Sequence, residues 1–173
     1  MDLKMLEQQL SGNLPPVDQW HPAHCGTMDL LIDRDGRWIH EGSEIKRPEM
    51  VKLFYRILRK DADGYVLVTP VEKISIQVAI EPFVLIDAVF EDGVWVFIAK
   101  SGERIPLCDQ HPMAVSHHEV LGDYPRILVR SNLWAHFHRN LFFRMAEQAA
   151  HTVTDTGADS WVLHSADKDW TFG

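Results

Sequence analysis

The stretch MDLLIDRDGRWIH at residues 28–40 shows the pattern that decides the fold. Apolar and polar residues alternate up to Ile32, Asp35-Gly36 follows, and the alternation resumes at Trp38. A period of two is typical of a strand with one buried face, and Asp-Gly between two such runs is the strongest short hairpin signal. The stretch therefore predicts an antiparallel hairpin.

A helical pattern follows the hairpin. Pro48 suits the first position of a helix, and an apolar stripe with i, i+3, i+4, i+7, i+8 spacing begins just after it. The pattern predicts a helix with Arg59 and Lys60 in its last turn, an end at residues 61–64 and a strand over residues 65–69. The stripe consists of Met50, Leu53, Phe54, Ile57 and Leu58.

The rest of the chain is predicted to contain more strands and a second helix. A long loop rich in His, Pro and Gly precedes that helix, and Ser131 is a good N-cap for it. The predicted strands cover residues 74–80, 83–90, 94–100, 127–129 and 161–164, and the loop covers residues 111–124. The apolar face of the second helix consists of Trp134, Phe137, Leu141, Met145 and Ala149, and another short helix is predicted over residues 1–10.

The order of hairpin, helix and strand occurs twice. Asp35-Gly36-Arg37-Trp38 matches Asp92-Gly93-Val94-Trp95, residues 47–58 match residues 130–141, and Tyr65-Val66-Leu67 matches Trp161-Val162-Leu163. Three matches in one order predict an internal duplication. We expect a β-rich α+β fold with mostly antiparallel sheets or a partly closed barrel, and one main helix per repeat. An N-terminal arm would cover residues 1–27, with repeats at 28–80 and 81–173 forming one compact unit.

Short pieces of sequence in a fixed order run through residues 15–165. They are Trp20-His21-Pro22, Cys25-Gly26, Asp29, Asp35-Gly36-Arg37-Trp38, Gly42, Ile45, Arg47, Leu53-Phe54, Leu58, Asp63-Gly64-Tyr65, Thr69-Pro70-Val71-Glu72-Lys73, Ile76, Val78, Pro82-Phe83, His111-Pro112, Val129-Arg130 and Trp161. In these pieces the chain resembles the bacterial DUF1285 proteins. The resemblance implies a duplicated, β-rich α+β fold and a signalling or ligand-sensing role, and it supplies no catalytic residues. Residues 78–81 depart from the family pattern, because they keep a single acid where the family carries several.

Composition excludes several classes of partner. The 173 residues have a formal charge of −8, and no run of Lys or Arg exceeds two residues. This balance disfavours nucleic acid and anionic membranes as partners. The longest apolar stretch, residues 83–90, contains Asp87 and is too short to span a bilayer. With two cysteines and no apolar signal segment at the start, we expect reduced thiols and a cytoplasmic location.

Motifs for common chemistry are absent from the sequence. It contains no P-loop, no G-x-G-x-x-G, no nucleophile elbow, no H-E-x-x-H and no C-x-x-C motif. Their absence disfavours an enzyme, and no organic cofactor is expected.

A zinc site is the best-defined alternative. Imidazole and thiolate groups are the ligands that Zn²⁺ prefers, and they occur here in two short segments. We predict as candidate ligands His21, His24, Cys25, Cys108 and His111. Folding would have to bring the segments together, for a metal-stabilised protein or a metal-dependent hydrolase. Cys108 with His111, or Cys25 with a distant His, also fits a Cys–His nucleophilic pair.

The leading hypothesis is a non-enzymatic module that binds a small molecule or a protein, with a role in bacterial signal transduction. A groove between the repeats would hold the ligand. Its predicted lining consists of Trp38, Glu72, Lys73, Trp95, His136 and Arg144. In this interpretation His136, Asn140 and Arg144 form a polar column on the second helix. A homodimer formed through an exposed strand edge is the third hypothesis.

Overall fold

The computed structural model describes residues 13–173, apart from the side chain of Cys25. The helix predicted over residues 1–10 lies outside this range. Strands predominate, and the described part contains two α-helices, so the fold is mostly β rather than an even mixture of α and β. Neither helix is long and apolar enough to cross a membrane. The chain divides into two units, the first ending at Ala79 and the second beginning at Ile80.

The first unit is a six-stranded mixed sheet with one α-helix. A short 3-10 helix (Val17–Gln19) precedes β1 (His24–Ile32), β2 (Trp38–His40), β3 (Ser43–Glu44), α1 (Pro48–Ile57), β4 (Leu58–Asp61), β5 (Gly64–Val68) and β6 (Lys73–Val78). The strand order is β3-β2-β1-β6-β5-β4. All neighbours are antiparallel except β1 and β6, which are parallel.

The predicted hairpin of the first unit is confirmed. Ile32 lies opposite Trp38, and the turn contains Gly36 with a positive φ of 71°, which favours glycine. Trp38 is 1% exposed and packs on the rings of Phe54 and Tyr55 from α1. The alternation in the sequence therefore indicates the buried face of β1 and β2 correctly. Because β1 begins at His24, the predicted arm over residues 1–27 overlaps this sheet.

The first helix is shorter than predicted. α1 ends at Ile57, and Arg59 and Lys60 lie in β4 instead of a last helical turn. Lys60 lies opposite Tyr65, and a tight turn joins β4 to β5. The residues predicted to end the helix therefore form a second hairpin, whose ladder satisfies the backbone groups that another helical turn would have used.

The second unit contains another six-stranded mixed sheet, one α-helix and a three-stranded sheet. Its elements are β7 (Phe83–Glu91), β8 (Val94–Ala99), β9 (Arg104–Pro106), β10 (Met113–His118), β11 (Gly122–Arg130), β12 (Leu133–Phe137), α2 (Arg139–Ala146), β13 (Ala150–Val153), β14 (Asp159–Ser165) and β15 (Lys168–Thr171). The large sheet has the order β10-β11-β12-β7-β8-β9, with β7 and β12 parallel. The small sheet is antiparallel, in the order β13-β14-β15.

Several predictions for the second unit are wrong. The predicted loop over residues 111–124 contains the hairpin of β10 and β11, and the short strand predicted over 127–129 is part of the nine-residue β11. The predicted second helix begins too early, because residues 133–137 form β12. Ser131 lies in a turn with φ 46°, and the N-cap of α2 is His138, whose Nδ1 accepts from the Asn140 N–H at 3.4 Å.

The residues of β12, which the sequence predicts as helix, fit both a strand period and a helix period. Leu133, Ala135 and Phe137 alternate along β12 and are all buried. Phe137 and Leu141 are also spaced as on a helix, and β12 passes into α2 at His138. The predicted polar column is therefore wrong, because His136 lies on a strand.

The two large sheets share one connection pattern. Each consists of two consecutive three-stranded antiparallel meanders. The first strand of the first meander pairs in parallel with the last strand of the second, β1 with β6 and β7 with β12. Asp35-Gly36 and Asp92-Gly93 occupy the same place in this pattern, in the turn after the first strand of each sheet. The other two matches do not, since residues 47–58 cover α1 whereas residues 130–141 cover β12 and the start of α2.

Candidate functional site

An apolar cleft in the second unit is the candidate site, and we call it the aromatic cleft. It lies between the end of α2 and the three-stranded sheet and has a volume of about 270 Å³. The surface of its wall is almost entirely apolar. The cleft is lined by Phe142, Ala146, Ala149, Trp161, Phe172 and Gly173.

Helical spacing supplies one wall of the cleft. Phe142 and Ala146 lie at i and i+4 on α2, and the N–H of Ala149 still donates to the Met145 carbonyl at 3.0 Å. Residues with this spacing lie on one side of a helix. The two alanines carry only methyl groups, so they leave open the space that larger side chains would fill.

Stacked aromatic rings form the base of the cleft. Phe172 is 3% exposed, and its ring lies 5.1 Å from that of Phe142 in a nearly parallel arrangement of 19°. Phe137 from β12 meets the Phe172 ring edge-on at 5.5 Å. Because the ring of Phe172 is held by both neighbours, the base of the cleft is preformed.

Trp161 completes the opposite wall and is 46% exposed. Its backbone N–H donates to the Gly173 carbonyl at 2.6 Å, and its carbonyl accepts from the Phe172 N–H at 2.6 Å. The strand position of the residue is therefore held while its indole remains accessible. An exposed large aromatic ring beside an apolar cavity is typical of an interaction site.

Two polar side chains lie beside the Trp161 wall of the cleft. His151 meets the Trp161 ring edge-on at 5.1 Å, and its Nε2 lies 2.9 Å from Oδ1 of Asp159. His151 lies opposite Trp161 in the sheet, and Val153 lies opposite Asp159. Because alternate residues of a strand share a face, all four side chains lie on the face that carries the Trp161 indole.

A buried carboxylate forms a second polar cluster in this unit. Glu81 accepts from Arg126 Nη1 at 2.8 Å and from the Tyr124 hydroxyl at 3.0 Å, and its side chain is 3% exposed. The Arg126 guanidinium lies 4.3 Å from the centre of the Trp134 ring. Burial, together with the Glu81 charge, raises the pKa of Tyr124. These contacts connect β11 and β12 to the start of β7, which is a structural role.

The first unit contains a charged cluster around Asp61. Arg59 Nε donates to its carboxylate at 2.6 Å, and Lys73 Nζ does so at 3.2 Å. Arg59 Nη1 also donates to the carbonyls of Val17 and Trp20, both at 2.7 Å. The Arg59 guanidinium, aided by the Lys73 ammonium, lowers the pKa of Asp61. The hydrogen bonds of Arg59 therefore attach the segment that precedes β1 to β4.

The residues predicted to line a groove have diverse surroundings. In the first unit Trp38 is in the core, Lys73 binds Asp61, and the Glu72 N–H donates to Thr69 Oγ1 at 3.0 Å in the turn before β6. In the second unit Trp95 packs on Phe90, His136 is 4% exposed on β12, and Arg144 donates to Asp87 at 2.5 Å. A groove that contains all six stays a prediction.

The predicted zinc ligands also have individual partners. His24 Nε2 lies 3.0 Å from Ser75 Oγ, and the Nδ1–H of His111 donates to the Leu128 carbonyl at 3.0 Å. His21 is exposed, and Cys108 is a half-buried thiol. Within residues 13–173, leaving aside the Cys25 side chain, no three His, Cys, Asp or Glu side chains gather as metal ligands. Zinc binding stays a prediction.

Sequence reasoning misses most of the aromatic cleft. It singles out Trp161 as part of a strand, of the repeat and of the family resemblance, and places Ala149 on the apolar face of a helix. Phe142, Ala146 and Ala149, at i, i+4 and i+7, carry a signal that could have been found. Phe172 carries none, because its place beside Phe142 arises from the tertiary structure.

Comparison with known families matches both halves of the chain. Residues 15–80 match the N-terminal domain of DUF1285, a domain of unknown function, and residues 82–172 match the C-terminal domain of DUF1285, described as a protein of unknown function. No curated protein matches the chain.

Two crystal structures resemble this structure. A DUF1285 family protein from Silicibacter pomeroyi DSS-3 is 30% identical with a TM-score of 0.82, over 94% of this chain and 88% of that chain. A DUF1285 family protein from Shewanella baltica OS155 is 21% identical with a TM-score of 0.55, over 69% of this chain and 91% of that chain. The second likeness concerns the fold alone.

Proposed function

The chain belongs to the DUF1285 family, and we propose that it is a non-enzymatic binding module whose aromatic cleft accepts an apolar group of a small molecule or a partner protein. The observation that carries the proposal is the half-exposed Trp161 indole beside the preformed base of Phe142 and Phe172. Covering such apolar surface contributes roughly 25 cal/mol per Å² to binding, which the costs of association partly offset.

The size of the cleft limits the group that it accepts. Small-molecule pockets usually measure roughly 300–1,000 Å³. A cleft of about 270 Å³ suits one ring or one large apolar side chain rather than a whole nucleotide or cofactor. A ligand would therefore present a single apolar group to this site.

The chemistry of the wall supports binding rather than catalysis. Acid–base or nucleophilic catalysis requires a titratable or nucleophilic group within hydrogen-bond reach of the reacting atom. The lining residues are Phe, Ala, Trp and Gly, and none of them carries such a side chain. His151, which packs against the Trp161 ring, is not part of the lining and is bound to Asp159.

We also propose an internal duplication, a class of partner, a location and a signalling role. The strand order shared by the two large sheets supports an internal duplication. The formal charge of −8 supports a partner other than nucleic acid or an anionic membrane. A cytoplasmic location and a role in signal transduction complete the proposal, with ligand binding shifting the population of two conformations.

The test is a titration of the ¹⁵N-labelled protein with indole, followed by amide chemical shifts. We expect the largest shifts at the amides of Ala149, Trp161 and Gly173. The Ala149→Leu variant fills the cleft at a half-buried position and should abolish these shifts while leaving the rest of the spectrum unchanged.

Phe90→Ala is the matched control for this titration. Phe90 is also an exposed aromatic residue of the second unit, 54% exposed, but it does not line the cleft. Its replacement should leave indole binding unchanged. Shifts that persist in Ala149→Leu, or that centre on Phe90, would refute the proposed function.

A further inference from the structure

We infer that the apolar group in the aromatic cleft belongs to a basic, extended peptide that pairs with the open edge of β13. The inference rests on the proposed binding function of the cleft and names the partner. Three observations carry it: an accessible strand edge, its continuity with the cleft, and the local excess of negative charge.

The strand edge is formed by β13 (Ala150–Val153), and all four of its residues are exposed. Among the strands that the structure describes, β13 pairs only with β14. Edge strands are commonly protected by Lys, Pro, acidic residues or a bulge, and the sequence Ala-His-Thr-Val has none of these. An extended peptide can add to such an edge through main-chain hydrogen bonds.

The cleft is continuous with this edge. Ala149 lines the cleft and directly precedes β13, and the His151 ring lies against the Trp161 indole. Val153, 58% exposed, extends the apolar surface on the same face. A strand added beside β13 would direct every second side chain toward the face that carries His151 and the Trp161 indole.

Charge determines the chemistry of the partner. Residues 139–173, which supply both walls of the cleft, carry five carboxylates, two arginines and one lysine. Of the arginines, Arg144 is bound to Asp87. That lysine, Lys168, donates to Asp109 at 2.7 Å, whereas Asp159 on the face of the cleft is 80% exposed. Complementary charge therefore favours Lys or Arg beside the apolar side chain of the peptide.

The same charges disfavour a second copy of the chain at this edge. Pairing of two β13 strands would bring two acidic segments together, in a protein whose formal charge is already −8. Like charges across an interface oppose association. A basic peptide from another protein satisfies both the apolar and the electrostatic requirements.

The test uses a capped pentapeptide, Lys-Val-Trp-Val-Lys, and two matched peptides. One carries N-methyl groups on the backbone amides of all five residues, which removes the N–H donors from both edges of the peptide strand, and the other has Glu in place of each Lys. We expect each change to weaken binding on the order of tenfold, as measured by isothermal titration calorimetry. Because these changes are made in the peptide, the folding of the protein is unaffected.

A protein variant separates the contribution of charge from that of the cleft. Asp159→Asn should weaken binding of the lysine peptide about threefold at low salt and should not weaken binding of the glutamate peptide. Added salt should reduce the difference between wild type and variant. Equal affinity of both proteins for the lysine peptide would contradict the assigned role of Asp159 and the basic partner with it.

The remaining outcomes are distinct. If indole binds the cleft but the N-methylated peptide binds as well as its parent, the strand-pairing inference fails and the proposed function stands. If indole does not bind the cleft, the proposed function fails. A dimer in analytical ultracentrifugation that Val153→Lys dissociates would assign the edge to a second copy and overturn the inference.

Discussion

The Asp61 cluster of the first unit and the aromatic cleft of the second differ in what they leave accessible. Arg59 and Lys73 surround the Asp61 carboxylate, and Arg59 also binds two backbone carbonyls. In the cleft, by contrast, Trp161 keeps nearly half of its surface exposed. Polar groups that satisfy each other stabilise a fold, whereas apolar surface left uncovered gains free energy when a partner covers it.

This difference in accessibility between the Asp61 cluster and the aromatic cleft is informative because the two large sheets have the same strand order. The aromatic cleft uses elements that this common pattern lacks, since α2 follows the sixth strand and the three-stranded sheet follows α2. We therefore associate the binding function with the additions to the second unit rather than with the shared sheets.

The largest expected effect comes from removing the base of the cleft. Phe172→Ala deletes a ring that is 3% exposed and packs on Phe137 and Phe142, so we expect a loss of about 3–4 kcal/mol in the free energy of unfolding. Urea denaturation followed by circular dichroism measures it. Phe143→Ala is the control, because Phe143 is 54% exposed and its loss should cost under about 1 kcal/mol. Similar values for the two variants would show that the base is not preformed.

A smaller effect is expected in the first unit. Arg59→Ala removes the strongest partner of Asp61 and the donor to the Val17 and Trp20 carbonyls, which we expect to cost about 2 kcal/mol. The control is Arg104→Ala, whose pair with Glu91 is half-exposed on both sides and is expected to contribute under about 0.5 kcal/mol. Hydrogen exchange should show the loss of protection in β4 and in residues 17–20. If Arg59→Ala were as stable as Arg104→Ala, the Asp61 cluster would contribute no more to stability than an exposed ion pair does.

The sequence predicts the first unit better than the second for a physical reason. Alternation around Asp35-Gly36 and the stripe over residues 50–58 are local signals, and each fits one period only. Residues 133–137 fit two periods, so tertiary pairing with β7 and β11 decides that they form a strand. In residues 111–124 the abundance of His, Pro and Gly conceals a hairpin.

The candidate site is predictable only in part. Phe142, Ala146 and Ala149 carry a helical spacing that is visible in the sequence. Whether these residues face Trp161 and Phe172 depends on how the three-stranded sheet packs on α2, and no local pattern contains that information. The predicted groove residues were selected as charged or aromatic side chains, but the cleft is defined by two small residues that leave space.

The smallest expected effect concerns acid stability and distinguishes a partly buried ion pair from an exposed one. Arg59 lowers the pKa of Asp61 from its ordinary value of 3.8, and Arg144 lowers that of Asp87 in the same direction. A carboxyl with a lowered pKa in the folded state stabilises the protein above its unfolded pKa, and this stabilisation is lost as the pH falls through the folded value.

We therefore expect wild type to lose stability below about pH 4 more steeply than Asp61→Asn, which has no carboxyl to protonate at that position. Asp87→Asn should follow the wild-type curve more closely, because the Asp87–Arg144 pair is 50% exposed on both sides and solvent screens it. Urea denaturation at several pH values between about 2.5 and 6 measures the slopes. The opposing results are a free energy of unfolding that depends on pH equally in Asp61→Asn and wild type, or one that changes more in Asp87→Asn. Either result would show that the Asp61 carboxylate is not stabilised more strongly than the carboxylate of an exposed ion pair.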